Sequence, residues 1–235
     1  MSNNPPTLRQ TDDGSNTLFD ADSGECFHSH KGALTESLHV FIEAGDLRHK
    51  MQQAVDAQRD LNVVEMGLGT GLNYLLSAQL ALETGCQLHY HALELTPVAA
   101  DTLVQLDYAA LLNQPQLLQE FSDIVEQCQR RDQGCHRWDT RAGSLTIELG
   151  DALRTGLPDQ SFDLCYFDAF SPTSAPEMWQ REQLQKFHDA LQIGGVWVSY
   201  CARGAVRRDL IACGFAVERL PGPPGKREML RATRR

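Results

Sequence analysis

Glu65-Met66-Gly67-Leu68-Gly69-Thr70-Gly71 sets an acid at the end of a short apolar run, Leu61 to Met66, and follows it with three glycines at alternate positions. A glycine-rich turn after a strand lets the main chain approach a ligand where a Cβ would clash. The helix that follows offers unpaired N–H groups to a polar or anionic group. This combination marks a nucleotide-like cofactor site, although an ordinary strand-to-helix turn can look the same.

The spacing is E-x-G-x-G-x-G, not the G-x-G-x-x-G of a dinucleotide fingerprint. It is the form typical of enzymes that use S-adenosylmethionine (SAM). That cofactor has no pyrophosphate to cradle; it carries an aminoacyl end, a sulfonium and a ribose, so acids are expected around it. Further acids stand where strands end: Glu94 closes His89-Tyr90-His91-Ala92-Leu93-Glu94, Asp151 follows Thr146 to Gly150, and Asp168 ends Phe162 to Asp168. Glu94 suits the two ribose hydroxyls, Asp151 the adenine amino group, and Glu65 the ammonium or the brace of the loop. Singly, each acid also reads as a surface residue or a helix cap. Asp168 leads Ala169-Phe170-Ser171-Pro172, where a carboxylate orients an acceptor amine and takes up its proton. Phe170 and Pro172 offer a wall for a planar substrate, or simply pack the loop.

The elements that must position these residues alternate from Leu61 onward. The pattern predicts strands at 61–66, 88–94, 144–149, 162–168 and 195–201, and helices at 71–83, 97–112, 115–131, 179–191 and 204–213. Short β segments near 215–220 and 227–232, joined by Pro221-Gly222-Pro223-Pro224-Gly225, form a closing hairpin. The fold class is α/β: a Rossmann-like, mostly parallel, doubly wound sheet with an antiparallel edge hairpin. Ahead of it, residues 1–16 are expected to be disordered and residues 17–60 to form a small N-terminal cap of two short strands and a helix over 32–44. Residues 61–235 form the main domain.

Composition narrows the class further. At 235 residues, 42% hydrophobic and 22% charged, the chain fits a globular protein with a sizeable core. No apolar run is long enough to span a bilayer and the N-terminus lacks a signal pattern, so a cytoplasmic location and no membrane partner are expected. Seven scattered cysteines give neither a disulfide framework nor a zinc cluster. The pairs His28-x-His30 and His89-x-His91 lack further ligands, so no metal is expected. The net charge of −10 hides an asymmetry: residues 203–235 hold nine basic and three acidic side chains. That permits a basic face on an acidic body, or merely a solvated C-terminus.

An ordered set of motifs resembles the methyltransferase part of the MnmC family, including its standalone MnmD form. These motifs are Glu65 to Asn73, Gly134-Cys135-His136-Arg137, Asp168 to Pro172 with Pro176-Glu177-Met178-Trp179, Gly204-Ala205-Val206-Arg207-Arg208, and Lys226-Arg227-Glu228-Met229-Leu230. Phe27-His28-Ser29 and Glu36 to Phe41 are similar to that family's entry region. Two departures stand out: Asp168-Ala169-Phe170 where the family often has Asp-Gly-Phe, and a proline-stiffened turn at 221–225.

The resemblance implies SAM-dependent methylation of the aminomethyl nitrogen on carbon 5 of a tRNA wobble uridine, giving methylaminomethyl-(2-thio)uridine. It implies Asp168 as the acceptor residue, and Glu65, Gly67, Gly69, Gly71, Asn73, Glu94 and Asp151 as the cofactor site. Phe170 and Pro172 would meet the substrate, and Arg207, Arg208, Lys226 and Arg227 the anticodon region. Other tRNA-modifying enzymes would supply the precursor. The rivals are a methyl- or aminopropyltransferase for a small amine, and a catalytically silent binding module.

Overall fold

The structure is a computed structural model that describes residues 5–235. Its spine is the run of buried, β-branched and aromatic segments that the alternating pattern marks out. Strands β4 (Leu61–Met66), β5 (Leu88–Glu94), β7 (Gly143–Leu149), β8 (Phe162–Phe167) and β9 (Leu191–Ser199) lie parallel. Together with β6 (Gly134–Thr140), β10 (Phe215–Pro221) and β11 (Glu228–Arg234) they make one sheet in the order β10-β11-β9-β8-β4-β5-β7-β6. The strand order reverses between β4 and β8, so the carboxyl ends of those strands border the crevice where such sheets bind ligands.

The antiparallel edge exists twice. The closing hairpin pairs β10 with β11, and β11 runs antiparallel to β9. At the other edge β6 runs antiparallel to β7 from Gly134↔Leu149 to Thr140↔Gly143, a strand absent from the sequence-based expectation. Its burial alternates, but the half-buried face is Gly134, His136, Trp138 and Thr140, too weakly apolar to announce a strand.

Helices α1 (Ala33–Ser37), α2 (Leu47–Asp56), α3 (Leu72–Thr84), α4 (Ala100–Gln105) and α5 (Pro115–Cys128) accompany one face of the sheet. Tyr90, Tyr166, Leu145 and Val198 meet them in a single core. Helices α6 (Arg181–Ala190) and α7 (Gly204–Ala212) cover the other face, where Phe167 and Trp197 pack with Trp179, Leu184 and Leu210. Between β7 and β8 no helix is formed among the described residues: Gly150, Gly156 and Pro158 interrupt that connection. The second face is therefore helix-covered only over part of its width.

Several boundaries differ from the expectation. Thr7–Gln10 is a strand, β1, paired with β2 (Asn16–Asp20), so residues 7–10 and 16 are not disordered; residues 1–4 lie outside the described part. The pairing of Leu8 with Leu18, and of Thr7 with Phe19, supplies the order that the polar composition alone does not. The segment 32–44 is α1 followed by a stretch of π-helix, Leu38–Glu43. The predicted helix 97–112 is broken into α4 and a 3-10 turn at Tyr108–Ala110, because Asp107 turns left-handed with φ +53°. The short strands around 20–24 appear as β2 and β3 (Glu25–Cys26). Leu18, Phe41, Leu47 and Met51 are fully buried in the same core as the sheet, so residues 17–60 pack as part of the main body.

Candidate active site

Glu65 is fully buried at the end of the central strand β4, between β5 and β8. The chain then makes three left-handed turns at Gly67, Gly69 and Gly71, with φ of 85°, 54° and 76°. The conformation requires glycine, and so does the space: a Cβ on Gly71 would overlap the Phe121 ring, and one on Gly67 would sit 3.1 Å from Asp168 O. Gly71 is the cap residue from which α3 starts, two residues before Asn73.

Asn73 joins the two acids that flank this turn. Its Nδ2 donates to Glu65 Oε1 at 2.9 Å and to Asp168 Oδ2 at 2.9 Å. Asp168 follows β8 and is anchored by its own N–H on Met66 O at 3.1 Å. Burial, reinforced by Glu36, pushes its carboxyl up to about 8, against the hydrogen bond from Asn73 and the charge of Lys226. Glu65 is driven well above the carboxylate range, first by burial and then by Asp168. Two adjacent acids in a low dielectric resist double ionisation, so this pair retains a proton near neutrality.

Glu94 turns back toward the turn: Oε2 accepts from Gly69 N at 2.9 Å and Oε1 from Thr96 N at 2.9 Å. Burial raises its carboxyl while these backbone bonds lower it. Asp151 follows β7, beside β5, and its Oδ1 accepts from Leu153 N at 2.9 Å, so it closes a local turn and caps no helix. Two exposed apolar side chains accompany these acids, Leu95 after β5 and Leu153 after β7. They are a pair that acid-centred sequence reasoning missed, and they suit the faces of a planar ring.

Two buried acceptors face inward in this region: Asn73 Oδ1, which has no hydrogen-bond partner, and Glu65, which lies beside the Tyr90 hydroxyl. An unpaired buried acceptor is costly unless a donor arrives. Together with a side-chain-free glycine cradle they fit a ligand that brings N–H groups and a close-packed backbone contact, as SAM would with its ammonium.

The loop Asp168-Ala169-Phe170, expected to meet the acceptor, is braced by several distant parts of the chain. Trp179 Nε1 donates to Phe170 O at 2.7 Å and Tyr200 Oη to Ala169 O at 2.9 Å. Glu25 holds the next turn, accepting from Ser171 N at 2.9 Å and from Ser174 Oγ at 2.7 Å. Phe27 meets Phe170 edge-on with centroids 5.4 Å apart, and it also lies against Gly69. Pro172 is half-buried beside them. Glu25, Phe27 and Tyr200 are not among the residues expected from the sequence. For Phe27 the signal lay in the entry-region motif; for Glu25 and Tyr200 no local pattern points to the site.

The basic C-terminal residues divide into two groups. Arg231 pairs with Glu218 at 2.7 Å and Arg219 with Glu228 at 3.4 Å across the hairpin, while Arg234 donates to Asp189 O at 2.8 Å. Lys226 is also engaged, 2.6 Å from Glu36. Arg203, Arg207, Arg208 and Arg227 have no ion pair among the described residues, and three of them lie at the start of α7, just beyond β9. Arg203 donates to Thr173 Oγ1 on the loop that follows Asp168, so this arginine borders the same crevice. One histidine of each pair is tied into the fold: His89 contacts Ser144 at 2.8 Å and Asp60 at 2.9 Å, and His28 is buried on Thr17.

Comparison with known proteins identifies the family of the chain. A family model described as S-adenosyl-L-methionine-dependent methyltransferase matches residues 115–235. The chain is 31% identical over 242 residues to the tRNA 5-methylaminomethyl-2-thiouridine biosynthesis bifunctional protein MnmC of Aromatoleum aromaticum, covering 100% of this chain and 36% of that protein. It is 30% identical over 213 residues to the protein of the same name from Chromobacterium violaceum, covering 88% and 31%. The chain thus spans about a third of the length of these relatives. The crystal structure of MNMC2 from Aquifex aeolicus shares the fold, with a TM-score of 0.75, 23% identity, and coverage of 98% of this chain and 71% of that one. With a strand-end acid set, a glycine cradle and a family model over half its length, the chain belongs to the S-adenosyl-L-methionine-dependent methyltransferases.

Proposed function

We propose that this protein methylates the aminomethyl nitrogen on carbon 5 of the tRNA wobble uridine, giving methylaminomethyl-(2-thio)uridine. The observation that carries the reading is Asp168: a buried carboxyl, raised to about 8, held by Asn73 at the foot of an aromatic-walled loop. Near neutral pH such a carboxyl is largely protonated in the cofactor-free protein, and the cationic sulfonium and ammonium of bound SAM would shift it toward the carboxylate that an amine acceptor needs. The names of the relatives supply the substrate class.

In this mechanism bound SAM supplies an electrophilic methyl group. Glu65, Asn73 and the glycine turn hold its aminoacyl end, Glu94 its ribose, and Asp151 with Leu95 and Leu153 its adenine. Asp168 uses the oxygen not bonded to Asn73 to accept an N–H of the acceptor amine, which aims the lone pair, and then takes up the proton released on alkylation. Phe27 and Phe170 wall the pyrimidine and exclude water. Arg203, Arg207, Arg208 and Arg227 meet phosphates of the anticodon region. The site works in the cytoplasm on tRNA whose aminomethyl group other enzymes have installed.

The test is transfer of label from SAM to tRNA from cells unable to methylate this position, followed by nucleoside analysis. Labelled methylaminomethyluridine is expected, and Asp168→Ala should abolish it while cofactor affinity stays nearly unchanged. Labelling of free small amines with none in tRNA would overturn the substrate. Loss of cofactor binding in Asp168→Ala would return that residue to a structural role.

A further inference from the structure

The connection between β10 and β11 brings Lys226 back over the Asp168 loop, into surroundings drawn from distant parts of the chain. Its Nζ lies 2.6 Å from Glu36 Oε1 and 3.8 Å from the centroid of the Tyr200 ring. The Glu36 side chain is only 6% exposed, and its other oxygen accepts from Ser29 N at 2.7 Å. Tyr200 in turn donates to the carbonyl of Ala169, the residue after Asp168. Lys226 is therefore two contacts from the backbone that aims the acceptor carboxylate. The same seam is closed by His39 Nε2, which donates to Pro221 O at 2.9 Å, and by Gly225 against the Lys31 side chain.

A lysine that binds phosphate from the surface needs neither a buried carboxylate nor an aromatic face; a cation meant to stay in one place needs both. We infer that Lys226 is a positioning residue for methyl transfer, a fixed cation that steadies the Asp168 loop through Glu36 and Tyr200 and favours the neutral acceptor amine. The inference rests on the methyl-acceptor reading above. It replaces the expectation that Lys226 contacts the anticodon backbone.

The charged and titratable groups facing Lys226 and Asp168 are Glu25, His28 and Glu36 from the N-terminal segment, Glu65 from β4, and Tyr200 and Cys201 at the end of β9. His28 is buried, which draws it down to about 4 and leaves it uncharged. Lys226 thus supplies positive charge to a pocket lined mainly by acids and neutral groups, with Arg203 at its rim carrying the same sign. Losing that charge favours the protonated forms of both Asp168 and the amine, neither of which is productive.

The experiment compares Lys226→Met, Lys226→Arg and Glu36→Gln with the native full chain, after thermal melting has verified folding. Lys226→Met should lower kcat on tRNA at least tenfold at pH 7 with little change in KM. It should also move the acidic limb of the pH–rate profile up by about one unit, the scale of a close charge on a carboxyl. Lys226→Arg should restore most of the rate, and Glu36→Gln should move the limb the opposite way. Without turnover, the Asp168 carboxyl followed by carbon-13 NMR in cofactor-free protein should titrate higher in Lys226→Met. Unchanged kcat and pH profile, with weaker tRNA binding and a shallower salt dependence, would make Lys226 a phosphate contact and overturn the inference. Native protein that transfers no methyl to tRNA refutes the proposed function instead, and the NMR titration still decides the part played by Lys226.

Discussion

Replacing Gly71 by alanine measures how tightly the cofactor turn is built. Gly71 sits at φ +76°, where an L-residue is strained by about 1–2 kcal/mol. The added Cβ would also approach Phe121 Cζ and Cε1 closer than 3.0 Å, and that ring is 1% exposed and packed on Tyr74 at 5.5 Å, so it has little room to withdraw. Overpacking of a filled core adds about 1–3 kcal/mol. The total, about 2–5 kcal/mol, is a large share of the roughly 5–15 kcal/mol by which a domain is stable. At about 2–4 °C per kcal/mol for a chain of this size, the melting temperature should fall by roughly 4–20 °C. Scanning calorimetry on Gly71→Ala, Phe121→Leu and the double variant separates the two contributions. The overlap should vanish when the ring is gone, leaving a coupling of about 1–3 kcal/mol, whereas the backbone strain should persist. Affinity for S-adenosylhomocysteine should fall in Gly71→Ala and recover in part in the double variant. A Gly71→Ala protein that loses under about 1 kcal/mol, with no coupling to Phe121, would refute the claim that this contact shapes the turn.

Glu94→Ala removes a charged acceptor that holds Gly69 N, and bonds of that kind are worth about 1.5–3 kcal/mol; calorimetry should find S-adenosylhomocysteine bound roughly 10- to 150-fold more weakly. Affinity equal to the native protein's would move the ribose away from β5. Substituting Arg207 and Arg227 together by glutamine should flatten the salt dependence of tRNA binding by a slope of about 0.7–0.9 for each phosphate that these arginines neutralise. The deficit should be greatest at low salt, and a slope equal to the native one would remove these arginines from the interface. Asp168 adds a pH dependence to stability. Its folded value of about 8 exceeds the ordinary 3.8, so the native state holds the proton more tightly than the unfolded chain does. The stability this confers is complete below pH 3.8 and is lost as the pH rises through 8. Cofactor-free Asp168→Asn should therefore keep stability across that window where the native protein declines; parallel denaturation curves would show that Asp168 is not perturbed.

The parts of this molecule that are legible in the sequence are those encoded within one strand–turn–helix unit. Glu65, the glycines and Asn73 lie within nine residues, and the conformation they need leaves a mark in residue type. Strands β4 and β5 fall on their expected bounds because β4 reads as a nearly continuous buried run and β5 alternates buried Leu88, Tyr90 and Ala92 with half-buried histidines. The edges are harder. Strand β6 escapes detection because its inward face is Gly134, His136, Trp138 and Thr140, and α2 because its polar side leaves only Leu47, Met51 and Ala54 to signal burial. The C-terminal charge misleads for a related reason: strand register sets Arg231 opposite Glu218, and that pairing has no counterpart in a charge count.

By itself, then, the sequence determined a parallel α/β sheet, a glycine cradle after its central strand, and acids at the strand ends, because backbone conformation and burial are recorded residue by residue in the local pattern. Tertiary structure decided which of those groups meet. Asn73 reaches Asp168 across 95 positions, and Lys226 reaches Glu36 across 190. Such contacts depend on strand order, register and the packing of residues 5–40 onto the sheet, quantities set by the whole core at once. The proton held near Asp168 and the charge fixed beside it follow from that packing, because burial and distance, more than residue type, govern both.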